Sequence, residues 1–442
     1  MPEVEPTQVD LTQPELQETW SLLSPDERLT GFKLLTAEDA EDFFLGLSAR
    51  DQAELLLTLP EGERRLWVRQ LAPDDAADMI QETPPDEHAR LLGALDETMR
   101  KEVTALLAYA EDEAGGLMSP RYARVRPEIS VDEAITYLRR QARERIETIY
   151  YAYVLDSQQR LLGVVSFREL FAAPWDKKVQ EVMQSDIVTV SEQLDQEAVS
   201  LLFAQHALMA LPVVDEAGRM KGIVTVDDIV DVVQEEATED IHKIGGTEAL
   251  DGPYLQIEFT RMVKKRAGWL SALFLGEMLT ATAMGYYEAE ISRAVVLALF
   301  IPLIISSGGN SGSQASTLVI RAMALGEVRL RDWWRVVRRE VAAGLALGVI
   351  LGTIGLTRIL LWPTRVQTYG EHYLLIAVTV ACSLLGVVLF GTIVGSMLPF
   401  FLRRLGFDPA SASAPFVATL VDVTGLIIYF TIANLILSGS LL

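Results

Sequence analysis

The chain is poor in cysteine and histidine, with one Cys and four His among its 442 residues. The lone Cys382 lies in an apolar run and has no mate, which excludes a disulfide framework and suits a reducing compartment. No two His stand at metal-ligand spacing, and no HExxH, Walker loop or nucleophile elbow occurs, so no enzyme is expected. The opening residues MPEVEPTQVDLTQPELQETW contain neither a basic nor an apolar stretch, and no cleavable signal peptide is expected. Positive charge is scarce in one part only. Residues 1–260 hold 23 Lys and Arg against 52 Asp and Glu, a net −29, whereas residues 261–442 hold 15 against 9, a net +6. Nucleic-acid phosphates would repel the first part, which leaves cations as its natural partners. With half of the residues hydrophobic and 22% charged, the chain does not have the composition of a disordered one.

What the first part lacks in apolar runs the second supplies. Five stretches, about 268–287, 294–322, 341–362, 373–402 and 413–440, approach the roughly 20 residues that a bilayer requires. Basic residues collect before the first (Lys264, Lys265, Arg266), between the second and third (Arg321, Arg329, Arg331, Arg335, Arg338, Arg339) and between the fourth and fifth (Arg403, Arg404). By the positive-inside rule the N-terminal part is cytosolic and the C-terminus lies outside. The expected location is the cytoplasmic membrane. In the second stretch, Pro302 is followed by Ser306, Gly308, Gly309, Asn310 and Gln314. Broken backbone at membrane depth must be buried or line water, so the segment is expected to mark a cavity, a pore or a tight helix crossing. Asp422 is the most prominent charge within a span, with Ala418 and Gly425 about one helical turn away leaving room beside it. Glu277 is its rival, with Thr280 and Ala281 on the same face, and Glu340 reads as an interfacial group.

Two repeats organise the acidic part. Leu162-Gly163-Val164-Val165-Ser166-Phe167-Arg168-Glu169-Leu170 returns as Lys221-Gly222-Ile223-Val224-Thr225-Val226-Asp227-Asp228-Ile229, and Gly116-Leu117-Met118-Ser119-Pro120 is echoed around Met183. Each copy alternates strands and helices and resembles a cystathionine-β-synthase (CBS) domain. Such pairs often bind adenine nucleotides, which makes ATP the candidate ligand, with no residue assigned to it. Upstream, Leu23, Leu35, Leu47, Leu59, Leu71 and Leu95 recur every 12 residues, with Thr83 in the missing slot. Each is followed by a helix-starting residue and then by acids, which predicts a superhelix of short stacked helices. Most of those acids need no ligand, because Asp and Glu in a first turn complement the helix dipole.

Four segments together resemble the MgtE family of magnesium channels from about residue 20 onward: Glu113-Ala114-Gly115-Gly116-Leu117-Met118; Glu236-Ala237-Thr238-Glu239-Asp240-Ile241-His242-Lys243; Gly308-Gly309-Asn310 with Gln314; and Ala418-Thr419-Leu420 leading to Asp422. The resemblance implies a homodimer whose spans line one central pore, with Mg2+ near Asp422 and the Ala418 carbonyl, and the divalent ions Mn2+ and Co2+ as further cargo. Mg2+ surrenders its waters reluctantly, so such a site would read the hydrated ion. The resemblance also implies regulatory Mg2+ ligands at Asp42, Asp74, Asp78, Asp227, Glu248, Asp251 and Asp408, where bridged carboxylates close the pore. Ala217 and Ala414 depart from residues that relatives place there. The expected architecture is a multidomain membrane protein: a disordered tail over 1–19, an all-α superhelical domain over 20–112, an α+β tandem CBS pair over 113–178 and 179–240, a connecting helix over 241–266, and a five-helix transmembrane domain over 267–442. The alternatives are an ion-coupled carrier, in which Glu277 would matter, and a non-transporting CBS membrane sensor.

Overall fold

A computed structural model describes residues 12–143, 146, 150–250, 252, 254–255 and 257–441. It divides into two compact units, Met1–Val233 and Gln234–Leu442.

The first unit begins with eight short helices: α1 (Gln13–Thr19), α2 (Pro25–Leu34), α3 (Ala37–Leu45), α4 (Ala49–Thr58), α5 (Glu61–Val68), α6 (Pro73–Gln81), α7 (Pro85–Ala94) and α8 (Glu97–Leu106). The 12-residue interval is realised as one helix plus its joint. Leu35, Leu59 and Leu95 are C-caps, and the residue after each repeat leucine opens the next helix. The Thr36, Ser48 and Asp96 side chains accept from the third backbone N–H of their helices, and Ser24 forms a reciprocal capping box with Glu27. Leu59, Leu71 and Leu95 are buried between helices. Thr83 fits the same buried slot because its hydroxyl donates to the Ile80 carbonyl at 2.7 Å. The tail expected over 1–19 is ordered in its second half: Thr12 caps α1 and Leu16 is buried, because an amphipathic turn with a cap can dock on its neighbours.

The remainder of this unit is a pair of three-stranded sheets. β1 (Arg124–Val125) runs parallel to β2 (Tyr151–Leu155), which pairs antiparallel with β3 (Leu161–Ser166); α9 (Val131–Gln141) links the first two. β4 (Val190–Ser191), β5 (Ala210–Val214) and β6 (Met220–Thr225) repeat the order, with α10 (Gln196–His206) between β4 and β5. The lead-in segments are exchanged. Ser119, ahead of the first copy, bridges Ile223 in β6, and Gln184, ahead of the second, bridges Val164 in β3. This exchange is why each copy needs its glycine: a Cβ on Gly163 would come within 2.6 Å of the Met183 sulfur, and one on Gly222 within 2.7 Å of the Ser119 carbonyl.

From β6 the chain enters α11 (Val226–Ile244), and then α12 (Phe259–Tyr286), α13 (Ile301–Ala324), α14 (Trp333–Leu361), α15 (Tyr373–Arg404) and α16 (Ala414–Leu437). Among the described residues, five helical segments in this region are long and apolar enough to cross a membrane. Two features differ from expectation. The connecting helix placed over 241–266 is not one element: α11 ends at Gly245-Gly246, where Gly246 has φ +75°, and the basic segment from Arg261 belongs to α12, since nothing between Phe259 and Gly268 interrupts it. The glycine-rich second span is also unbroken. Pro302 sits in the first turn of α13, where its missing N–H costs nothing, and the glycines continue the helix while letting α15 approach. A Cβ on Gly391 would lie 2.4 Å from the Gly308 carbonyl, and one on Gly395 2.1 Å from that of Gly312. α14 meets α15 through Gly344, Gly348 and Gly352, all buried on one face.

Candidate ion site

Three membrane helices enclose a cavity of about 460 Å3. α13 contributes Pro302, Ser306, Gly309 and Asn310; α16 contributes Ala418 and Asp422; α12 contributes Glu277 and Thr280. Small residues bring these helices together at this level. A Cβ on Gly309 would lie 3.5 Å from Ala418, and one on Gly276 would lie 2.9 Å from the Thr419 methyl. The carboxyls of Glu277 and Asp422 are close enough to share a hydrogen bond. Asn310 donates to Ser306 Oγ at 3.4 Å and remains exposed, as does Glu277, while Asp422 is half-buried. None of the ten lining residues is basic.

The structure thus brings together Pro302, Gly309, Asn310, Ala418 and Asp422, and separates the other three pore candidates from them. Gly308 is packed beneath Val387 and Val421, Gly425 faces Val387, and Gln314 is exposed one turn beyond Asn310 on α13 and does not line the cavity. Thr280 was visible in the sequence only as a small polar neighbour of Glu277. Ala414, a departure from the family pattern, begins α16, where its carbonyl accepts from Ser313 Oγ at 3.0 Å.

A second acidic group lies at the end of α11. Lys243 Nζ contacts Asp408 Oδ2 at 2.6 Å and also pairs with Glu239, one turn back. Burial alone would lower the Lys243 pKa, but its hydrogen bonds to Asp408 and Glu239 raise it well above the ordinary lysine value. Partial burial, with the charges of Asp408 and Glu236, pushes Asp240 up to about 6. Asp408 also caps the turn before α16 by accepting from Ala410 N at 2.8 Å. Gly246, just beyond this group, packs on Trp269 of α12 and Pro415 of α16. Glu248 is exposed beside Gly268, and Asp251 lies outside the described residues.

The remaining candidates fall in the first unit. Asp42 is exposed on α3, Asp74 is buried on α6 and accepts from Ser119 Oγ at 3.4 Å, and Asp78 is half-buried one turn further on. Asp227 is exposed at the start of α11. It is near Asp75, whose carboxyl is crowded by protein although the residue retains surface. Burial raises that carboxyl above its ordinary range, a hydrogen bond from Ala72 opposes the rise, and the Asp227 charge adds to it. Ala217, the other departure, donates its N–H to Asp215 Oδ1 at 3.0 Å within a turn. Among the described residues no three His, Cys, Asp or Glu converge to hold a metal ion within one chain.

Comparison with known proteins adds family and relatives. Residues 12–112 match the MgtE intracellular N domain, residues 114–176 and 179–235 the CBS domain, and residues 301–432 a divalent cation transporter domain. The chain is 42% identical over 428 residues to the magnesium transporter MgtE of Thermus thermophilus, covering 96% of this chain and 93% of the relative. It is 30% identical over 402 residues to that of Bacillus subtilis, covering 90% and 86%. A crystal structure of the cytosolic domain of the Mg2+ channel MgtE in complex with ATP is similar at 42% identity and a TM-score of 0.47, covering 51% of this chain and 92% of that one.

Proposed function

The chain belongs to the MgtE family of magnesium transporters, and from that premise we propose that it is a homodimeric, Mg2+-selective channel importing the ion across the cytoplasmic membrane. The observation that carries the reading is the cavity. Glu277, Ser306, Asn310 and Asp422 form a polar face on apolar helices, and such a face cannot meet lipid. A second copy against it would enclose a water-filled path with the carboxylates inside. Six waters at roughly 30 Å3 each need about 180 Å3, so the cavity has room for a hydrated ion read by Asp422 and by the Ala418 backbone.

In this reading the acidic part is the sensor. Carboxylates of Asp42, Asp74, Asp78, Asp227, Glu248 and Asp251, joined by Asp408 where Lys243 gives it up, repel when cytosolic Mg2+ is low, and the ion turns repulsion into a bridge that closes the pore. The packing of Gly246 on both Trp269 and Pro415 supports a mechanical link from connector to pore helices. The orientation follows the Arg-rich linkers: N-terminus in the cytosol, C-terminus outside. ATP is the ligand proposed for the CBS pair, on the family resemblance.

The test is Mg2+ uptake into proteoliposomes carrying the full chain. Asp422→Asn is expected to reduce it by about 100-fold, the cost of losing a charge-assisted contact of roughly 3 kcal/mol. Wild-type uptake in that variant overturns the pore assignment, and a unit conductance too small for a channel moves the reading to a carrier.

A further inference from the structure

The proposed pore site has one carboxylate per chain, yet the cavity has two. Three observations on the first membrane helix bear on this. Glu277 and Thr280 are three residues apart on α12 and so share one face, and both line the cavity opposite Asp422. Gly276 provides the close approach: a side chain there would strike Thr419 of α16, so its absence holds the α12 face against α16 at the level of Asp422. Thr280 is 8% exposed and its hydroxyl finds no hydrogen-bond partner, although threonine in a membrane helix can donate to the carbonyl one turn back, as Thr282 does to Met278 at 3.1 Å. A buried hydroxyl left unpaired is destabilising, and one that lines a polar cavity recovers the loss when a hydrated ligand enters.

We propose that Glu277 and Thr280 form a second wall of the ion site, so that the water shell of a divalent cation is held by two adjacent carboxylates of the same chain. Asp422 on α16 and Glu277 on α12 accept hydrogen bonds from its water shell, and Thr280 Oγ engages a further water. The charge balance suits this cargo: each chain offers two carboxyls and no basic group in the cavity, so the positive charge has to come from the ion, and a divalent ion offsets more of the carboxylate charge than a monovalent one. The inference rests on the pore reading above and adds a specificity-determining residue to it.

The experiment is the concentration dependence of Mg2+ uptake into proteoliposomes containing the full-length protein, with Na+ as competing ion. Glu277→Gln is expected to raise the half-saturating Mg2+ by about 10- to 100-fold, the range seen when partners that orient bound water are removed, and to make uptake sensitive to Na+. Thr280→Val is expected to raise it by roughly 3-fold, the equivalent of one water-mediated hydrogen bond. Glu277→Asp, which keeps the charge, should recover most of the affinity. Should Glu277→Gln fail to yield folded protein, Thr280→Val and Glu277→Ala carry the same test, because both must shift half-saturation. Unchanged half-saturation in Thr280→Val and in Glu277→Gln or Glu277→Ala, without Na+ sensitivity at Glu277, and with uptake reduced in Asp422→Asn, overturns the second wall and leaves the pore reading standing. Wild-type uptake in Asp422→Asn overturns both.

Discussion

The two acidic groups of the membrane-bearing unit differ in one respect that decides what each can do. At the end of α11, the carboxylates of Glu239 and Asp408 converge on Lys243, a cation supplied by the chain itself. In the membrane cavity, Glu277 and Asp422 face each other with no basic residue among their neighbours. The first group is closed on its own counter-ion and can act as a structural joint between connector and pore helix. The second has to receive its positive charge from outside. Carboxylate content alone therefore does not identify an ion site; what distinguishes the two is the counter-ion.

That contrast can be broken by exchanging the counter-ions. The largest effect is expected from Thr280→Lys, which brings a lysine into the membrane cavity. Uptake of Mg2+ should fall by about 100-fold or more, since a fixed cation competes for the site and a charge at this depth costs about 2.5–3.5 kcal/mol. The reverse change, Lys243→Met, leaves half-buried carboxylates without their partner and should cost about 1–3 kcal/mol in thermal denaturation, with millimolar Mg2+ restoring part of it. No loss of stability would show that Lys243 is not the joint.

A smaller effect is expected at Asp240. Its folded-state pKa of about 6 stands above the ordinary 3.8, so the folded chain binds this proton more tightly than the unfolded chain. The resulting stabilisation is present at low pH and is lost as pH rises through the interval between those values. Asp240→Asn should accordingly raise stability by about 0.2–1 kcal/mol near neutral pH, by removing a partly buried and repelled charge, and should change little near pH 4. An equal gain at both pH values would rule out charge repulsion as the cause.

Much of this molecule is legible in one dimension. The 12-residue interval marks its own helix starts, because capping is a local matter of a Ser, Thr or Asp side chain and a backbone N–H three residues on. The repeated Gly-Val-Val and Gly-Ile-Val strands are equally legible, but the reason for their glycines is not. Only the folded pair exchanges its lead-in segments across them. The same holds in the membrane, where Pro302 and Gly308-Gly309 read as a break in the helix. The structure keeps α13 continuous, since a glycine weakens an isolated helix yet permits a neighbouring backbone within contact, and the packing gained on α15 outweighs the propensity lost.

The sequence by itself determined the division into an acidic part and an apolar part, the number of candidate spans, the two repeats and the prominence of Asp422 as a charge within a span, because charge, hydropathy and period are properties of the chain in order. Tertiary structure alone decided that Glu277 and Thr280 stand opposite Asp422 while Asp408 is claimed by Lys243, pairs separated by more than a hundred residues. Electrostatic partnership depends on distance in space, and no local rule of residue order specifies which carboxylate keeps a lysine and which is left without one.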